Sequence, residues 1–233
     1  MKPIVLIALF AGLTFFSPAP AVAQTNSAAA ETENATLEKH LKPTLAALGK
    51  LDAAKEKTVR EILAAQFAAL RTWHATNDAQ IKPLWNEFNA ARSKQNVAAA
   101  NAALEKIHGV YATFQPAHQK FIAELSAVLT ADQVEAVKDA LTIKKVKVTY
   151  DVYLQIFPKL TEAQSAVVLQ NLKAAREEAI DCEAMTEKSA FFKKYKIKIE
   201  DEYLTAQGYD PKQARKDFAA SQKASKKTAE DGK

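Results

Sequence analysis

From Leu104 to Val128 the chain steps alternately by three and four through Leu104, Ile107, Tyr111, Phe114, His118, Phe121, Leu125 and Val128. A repeat of about 3.5 residues is the seam of a helix facing a partner; a strand would alternate every second residue. A second stripe precedes it: Val59, Ile62, Leu63, Phe67, Leu70 and Trp73, continuing through Ile81, Leu84, Trp85 and Phe88. Between the two, Ser93–Asn96 reads as a turn. Two long amphipathic helices joined by a short loop pack antiparallel, so the spacing predicts a hairpin over residues 52–129. Asp52 is its N-terminal cap. Pro83 should kink or split the first limb, and Pro116 with Gly109 should bend the second. Only five glycines in 233 residues, with 48% apolar residues, favour helix over a turn-rich β sandwich. The expected fold is all-α: a long antiparallel helical hairpin packed with several shorter helices, in a single domain over 37–222.

The pentapeptides LTADQ (Leu129–Gln133) and LTEAQ (Leu160–Gln164) mark two further helix starts. In each, a threonine can accept from the backbone of a glutamine three residues on, whose side chain returns the bond. Leu129 and Val134 add a hydrophobic staple; the second box has Ser165 at that place and lacks one. Ile143–Val148 alternates apolar residues with lysine and reads as an extended linker or one edge strand. Thr149 would then cap a short helix, Tyr150–Phe157, ended by Pro158. Helices are expected over 162–180 and 187–206, the latter closed by Gly208. A last short helix starts at Asp210-Pro211. Before the hairpin, a short helix containing Leu37, Leu41, Leu45 and Leu48 is interrupted or bent at Pro43.

The ends carry different signals. Lys2, the apolar run Ile4–Phe16 and the small-x-small site Ala21-Val22-Ala23 read as an export signal over 1–23, cleaved before Gln24. The apolar run is shorter than the ~20 residues a membrane span needs. Residues 24–36 read as a flexible leader, and 223–233 as a charged, disordered tail. A net charge of +5, from 32 basic and 27 acidic residues, is too slight a lean to argue for nucleic acid. The single cysteine, Cys182, excludes an intramolecular disulfide; it reads as a small semi-buried residue, with an intermolecular bridge as the alternative.

The blocks AQFAALRTWHATNDAQIK, KFIAELSAVLTADQVEAVKDALT, VTYDVYLQIFPKLTEAQ, AAREEAID, EKSAFFKKYKIKI and YLTAQGYD follow in that order. Together, over about Leu45 to Asp217, they resemble the domain of unknown function 3826 family of exported, all-helical bacterial proteins. The resemblance implies an exported, all-helical protein with a sugar-binding role and no assigned reaction. The chain departs from the family pattern at Cys182-Glu183-Ala184-Met185, where small residues and glycine are usual. The paired L-T-x-x-Q boxes also resemble small periplasmic chaperones built from helical hairpins, over ten residues only.

Three clusters are candidate sites. If the hairpin turns near Asn96, His74 and His118 lie equally far from the turn, and Asp78 shares a helix face with His74. His74, Asp78 and His118 would then form a two-histidine, one-carboxylate set suited to zinc or a similar divalent ion. The family pattern carries the same residue types at these places. The alternative is a hydrogen-bonded polar patch at the seam. The second cluster is Tyr150, Tyr153, Tyr195, Tyr203 and Tyr209 with Arg176, Asp181, Lys196 and Asp210. It supplies the flat aromatic faces and polar groups that a sugar site needs; the alternative is tyrosines lining the core with their hydroxyls at its rim. The third is basic, with Lys193, Lys194, Lys196 and Lys198 beside Lys144, Lys145 and Lys147. It suits an anionic glycan or a membrane surface, or is a solvated face. No Ser-His-Asp order, phosphate loop, paired-cysteine metal site or H-E-x-x-H occurs. The functions these readings leave are a non-catalytic binding module for carbohydrate or another cell-envelope component, a periplasmic chaperone or metal-sensing helper, and a metal-dependent hydrolase.

Overall fold

The computed structural model describes residues 35, 37–182 and 184–231. The expected export signal, all of the expected leader but residue 35, and Glu183 lie outside the described residues. The protein is all-α, with no strand among the described residues. Helix α1 (37–47) runs through Pro43 uninterrupted, and Gly49, at φ +70°, turns the chain out of it. Helix α2 is Ala53–Ser93, 41 residues, capped by Asp52, which accepts from the Lys55 amide at 2.9 Å. Pro83 lies inside α2 without splitting it. The buried stripe of α2 carries Val59, Leu63 and Leu70, then resumes at Ile81, Trp85 and Phe88. Between these stretches, Trp73, His74, Asn77 and Asp78 are half-buried.

The chain reverses at Lys94–Asn96, where Gln95 takes φ +55° and Asn96 caps α3 (Val97–Tyr111). A 3₁₀ turn, Ala112–Phe114, leads into α4 (Gln115–Val128). The expected bend at Pro116 takes the form of this break. A proline has no N–H to give the carbonyl four residues back, and at the first turn of a new helix that loss costs nothing. The return limb runs back along α2: Lys106 pairs with Glu87 at 3.1 Å, and Trp73 Nε1 donates to Thr113 Oγ1 at 2.9 Å.

Both predicted capping boxes are present. Thr130 and Gln133 open α5 (Ala131–Leu141), and Thr161 and Gln164 open α7 (Glu162–Ala179), each with reciprocal bonds of 3.0–3.3 Å. The segment between them differs from expectation. Ile143 and Lys144 take left-handed φ of +56° and +52°, and α6 starts at once, as Lys145–Ile156. Val146, Thr149, Tyr153 and Ile156 are buried, whereas Ile143 and Val148 are exposed. The two-residue alternation of IKKVKV covers six residues; the three-and-four spacing through Ile156 covers more and meets the core, so helix wins. Thr149 is thus a buried helical residue, not a cap.

Helix α8 (Met185–Ile197) passes directly into a π-helical segment, Lys198–Leu204. Gly208, at φ +83°, closes the unit, and Asp210 caps α9 (Pro211–Asp231) by accepting from Gln213 N at 3.0 Å. Helix α9 continues through residues 223–231, where a disordered tail was expected; no proline or glycine occurs between Pro211 and Asp231 to stop it.

One core joins α2, α3, α6, α7 and α8. Phe191 meets both Trp85 and Tyr111 edge-on, at 6.2 and 5.9 Å, and Tyr153 stacks on Phe157 at 5.9 Å. No helix among the described residues is long and apolar enough to cross a membrane.

Candidate functional site

Two polar clusters stand out against this core. The first is internal. Arg176, on α7, is 1% exposed although it carries a full charge. A buried guanidinium must be met by anions, and it is: it donates to Asp139 at 2.6 Å, to Glu135 at 2.8 Å and to Glu177 at 3.2 Å. Lys138 pairs with Glu177 at 3.0 Å, and Lys173 with Glu135 at 3.2 Å. The network ties α5 to α7. It continues to α4 and α2, because His118 Nδ1 lies 2.9 Å from Asp181 Oδ2, off the axis of an aligned hydrogen bond, while Gln66 donates to Asp181 Oδ1 at 3.2 Å. Burial works against a charged His118, but Asp181 and Glu177 outweigh it and hold the ring above its ordinary pKa. Glu135 is likewise penalised by burial, yet Arg176 and Lys173 keep it below the usual carboxylate range.

The structure brings His74 and Asp78 together, Nδ1 to Oδ1 at 3.0 Å, with Lys82 on the other carboxylate oxygen at 2.7 Å. His118 is elsewhere. It shares Asp181 with Gln66, two turns before His74 on α2, about 12 Å along the helix axis. The return limb is out of equal step with α2 before the 3₁₀ turn, since Tyr111 on α3 already meets Trp73 at 4.9 Å, so His118 falls beside an earlier part of α2. No group of three or more His, Cys, Asp or Glu side chains placed to hold a metal occurs among the described residues.

The tyrosines of the second sequence cluster turn inward. Tyr153, 1% exposed, donates to Glu200; Tyr195 donates to Glu178 at 2.6 Å. The Tyr209 hydroxyl lies 3.0 Å from both the Lys159 carbonyl and Gln164 Oε1. Tyr150 and Tyr203 are half-buried against the core. Burial and their carboxylate partners push Tyr153 and Tyr195 above the ordinary phenol range. Arg176 and Asp181 belong to the internal network, and Asp210 is a helix cap.

The second cluster is open. A cavity of about 400 Å³ lies between α6, α8 and α9, and Lys145, Lys193, Lys196 and Arg215 line it. Two basic runs far apart in the sequence therefore meet in space. Positions 189, 193, 196 and 200 share one face of α8 and its π-helical extension, which aims Ser189, Lys193, Lys196 and Glu200 at the cavity. Phe192 lines it as well, with Lys145 Nζ 5.7 Å from its ring centre. Lys145 also donates to Ser189 Oγ at 2.7 Å.

The charges in the cavity do not balance. Arg215 grips Glu200 with two nitrogens, and Tyr153 donates to the same carboxylate, so Glu200 is fully engaged. Asp201 is the remaining acid of the lining. Among the described residues, no carboxylate lies within ion-pair distance of Lys193 or Lys196. Burial first, and then the positive charges of Arg215 and Lys145, lower the pKa of Lys196; burial lowers that of Lys145. A site that depresses its own lysines is one an anion would relieve.

The profile of the family described as "Protein of unknown function (DUF3826)" matches residues 35–224. The chain belongs to that family. The match takes in every element that builds both clusters, from Gln66 on α2 to Arg215 on α9, so the DUF3826 region carries the whole cavity. No curated protein matches the chain. Sequence reading of this DUF3826 protein named the lysines of the cavity but missed Arg215 and Ser189. The signal for Ser189 was its spacing of four and seven from Lys193 and Lys196. Arg215 carried none, since only the packing of α9 against α6 brings it in.

Proposed function

We propose that this protein is an exported binding module for an acidic carbohydrate, held in the basic cavity between α6, α8 and α9. The observation that carries the reading is the convergence of Lys145, Lys193 and Lys196 in one cavity without matching carboxylates. Ligand sites are concave, with an apolar wall and a few directed polar groups. Here half-buried Ile197 supplies the apolar patch over the fully buried Phe192, the ammonium groups face an acid, and Ser189 and Asp201 are placed for neighbouring hydroxyls. The tyrosines favour this cavity over an aromatic platform, because Tyr153 is buried and Tyr150, Tyr195, Tyr203 and Tyr209 are half-buried against the core. Export rests on the sequence of residues 1–23.

Calorimetric titration tests the proposal, comparing acidic and neutral oligosaccharides of equal length, for example tri-galacturonate against its methyl ester. The acid should bind, the ester should bind at least about tenfold more weakly, and Lys196→Ala should lose a similar factor for the acid alone. Equal affinity for acid and ester would refute the reading.

A further inference from the structure

A second cavity, of about 260 Å³, opens on the adjoining flank of α8 near the turn between α2 and α3. Phe88 and Leu104 give it apolar walls, and Arg92 and Asn101 give it donors. Lys193 and Ile197 line both cavities. Lys193 is exposed, so it stands as a ridge between two basins and can meet a ligand lying in either.

We infer that the two cavities are successive subsites of one groove crossing α8, and that the ligand is an acidic sugar chain of several units rather than a single sugar. The inference rests on the proposed function above and adds its length. Each cavity alone falls at or below the lower part of the ~300–1,000 Å³ range of small-ligand sites, and the pair together reaches its middle. Their chemistry is of one kind: an apolar floor over a buried phenylalanine, cations for acid groups, and amide or hydroxyl groups for the remaining oxygens. The guanidinium of Arg92 is exposed, with its carbon 5.5 Å from the centre of the buried Phe88 ring, so a cation stands over a core ring there as Lys145 does over Phe192 in the first cavity. A chain that fills one basin presents its next units to the other at high local concentration, and affinity then rises with length without any new kind of contact.

The test is calorimetric titration of the full chain with galacturonate oligomers of one to six units. The probe set adds sulfated oligosaccharides of matched length and vesicles containing phosphatidylglycerol. Affinity should rise at least about tenfold between the shortest oligomer that binds and the hexamer. The double variant Arg92→Ala/Asn101→Ala, whose fold is checked by its thermal melt, should lose that rise and keep the affinity for the shortest oligomer. A rise shared by sulfated oligomers supports the groove and assigns recognition to charge rather than to the carboxylate. Binding of short acids with no gain in length overturns the groove and leaves the proposed function standing. A gain that survives in the double variant overturns the second subsite. Failure of every acidic sugar to bind overturns both readings, as does vesicle binding tighter than that of any oligosaccharide.

Discussion

Replacing Arg176 by methionine tests whether the internal network holds α5 to α7. The substitution keeps an unbranched apolar stem of similar reach and removes the charge. It deletes two strong charge-assisted bonds, to Asp139 at 2.6 Å and Glu135 at 2.8 Å, and a weaker one to Glu177. Removing one member of a buried ion pair typically costs about 3–5 kcal/mol, because its partners remain charged. The partners here are only partly buried: the Glu135, Asp139 and Glu177 side chains are 37%, 32% and 37% exposed and can regain water. Lys173 and Lys138 also remain beside Glu135 and Glu177. The expected loss is therefore at the low end, about 3 kcal/mol. For a domain of this size that lowers the melting temperature by roughly 6–12 °C at neutral pH. Circular dichroism melts across pH make the assay specific. The folded pKa of Glu135 is depressed, so its contribution is complete above the unfolded carboxylate value of about 4.3 and is lost as pH falls through the folded value. The gap between wild type and Arg176→Met should close in that acid window. A gap under about 2 °C at pH 7, or one that does not change in acid, would refute the argument.

His118 gives the opposite pH dependence. Its folded pKa is raised, so the stabilisation is complete below the unfolded value of about 6.5 and is lost as pH rises through the folded value. Wild type should lose melting temperature over that interval relative to His118→Gln, while changing Lys138, whose charge opposes the proton, to glutamine should extend the interval. The two capping boxes should behave alike despite the missing staple in the second: Thr130→Ala and Thr161→Ala should each cost about 1 kcal/mol in urea unfolding.

The limits of the sequence reading follow from what each signal reports. Stripes such as Val59 to Phe88 and the threonine–glutamine boxes report local chemistry, and the helices stand where those signals put them. Ile143–Val148 misled because alternation over six residues is too short to outweigh the three-and-four spacing that Val146, Thr149, Tyr153 and Ile156 continue. The left-handed pair Ile143–Lys144 carries no glycine or asparagine to announce it. His118 was expected opposite His74 because pairing was measured from the turn in equal numbers of residues. That equality is already lost within α3, where Tyr111 meets Trp73 before the 3₁₀ turn at Ala112–Phe114, and a sequence shows Pro116 without showing how the chain accommodates it.

The basic cavity was half legible, and the reason lies in α8. Lys193, Lys194, Lys196 and Lys198, followed by Glu200, Asp201 and Glu202, look like a solvated helix face in which neighbouring charges cancel. That cancellation assumes that one helical period continues through the acids. From Lys198 the segment is π-helical, and the wider turn shifts every later residue around the axis relative to an α-helix. Glu200 still faces the cavity, but Tyr153 on α6 and Arg215 on α9 take up its carboxylate, and only 13% of its side chain remains exposed. Its charge is consumed there rather than by the lysines one turn back. Lys193 and Lys196 stay unneutralised because Arg215 and Tyr153 occupy the Glu200 carboxylate, while Lys194 turns to Glu105 and Glu178. A binding site can thus sit within a run of alternating charge when other helices take up the acids of that run.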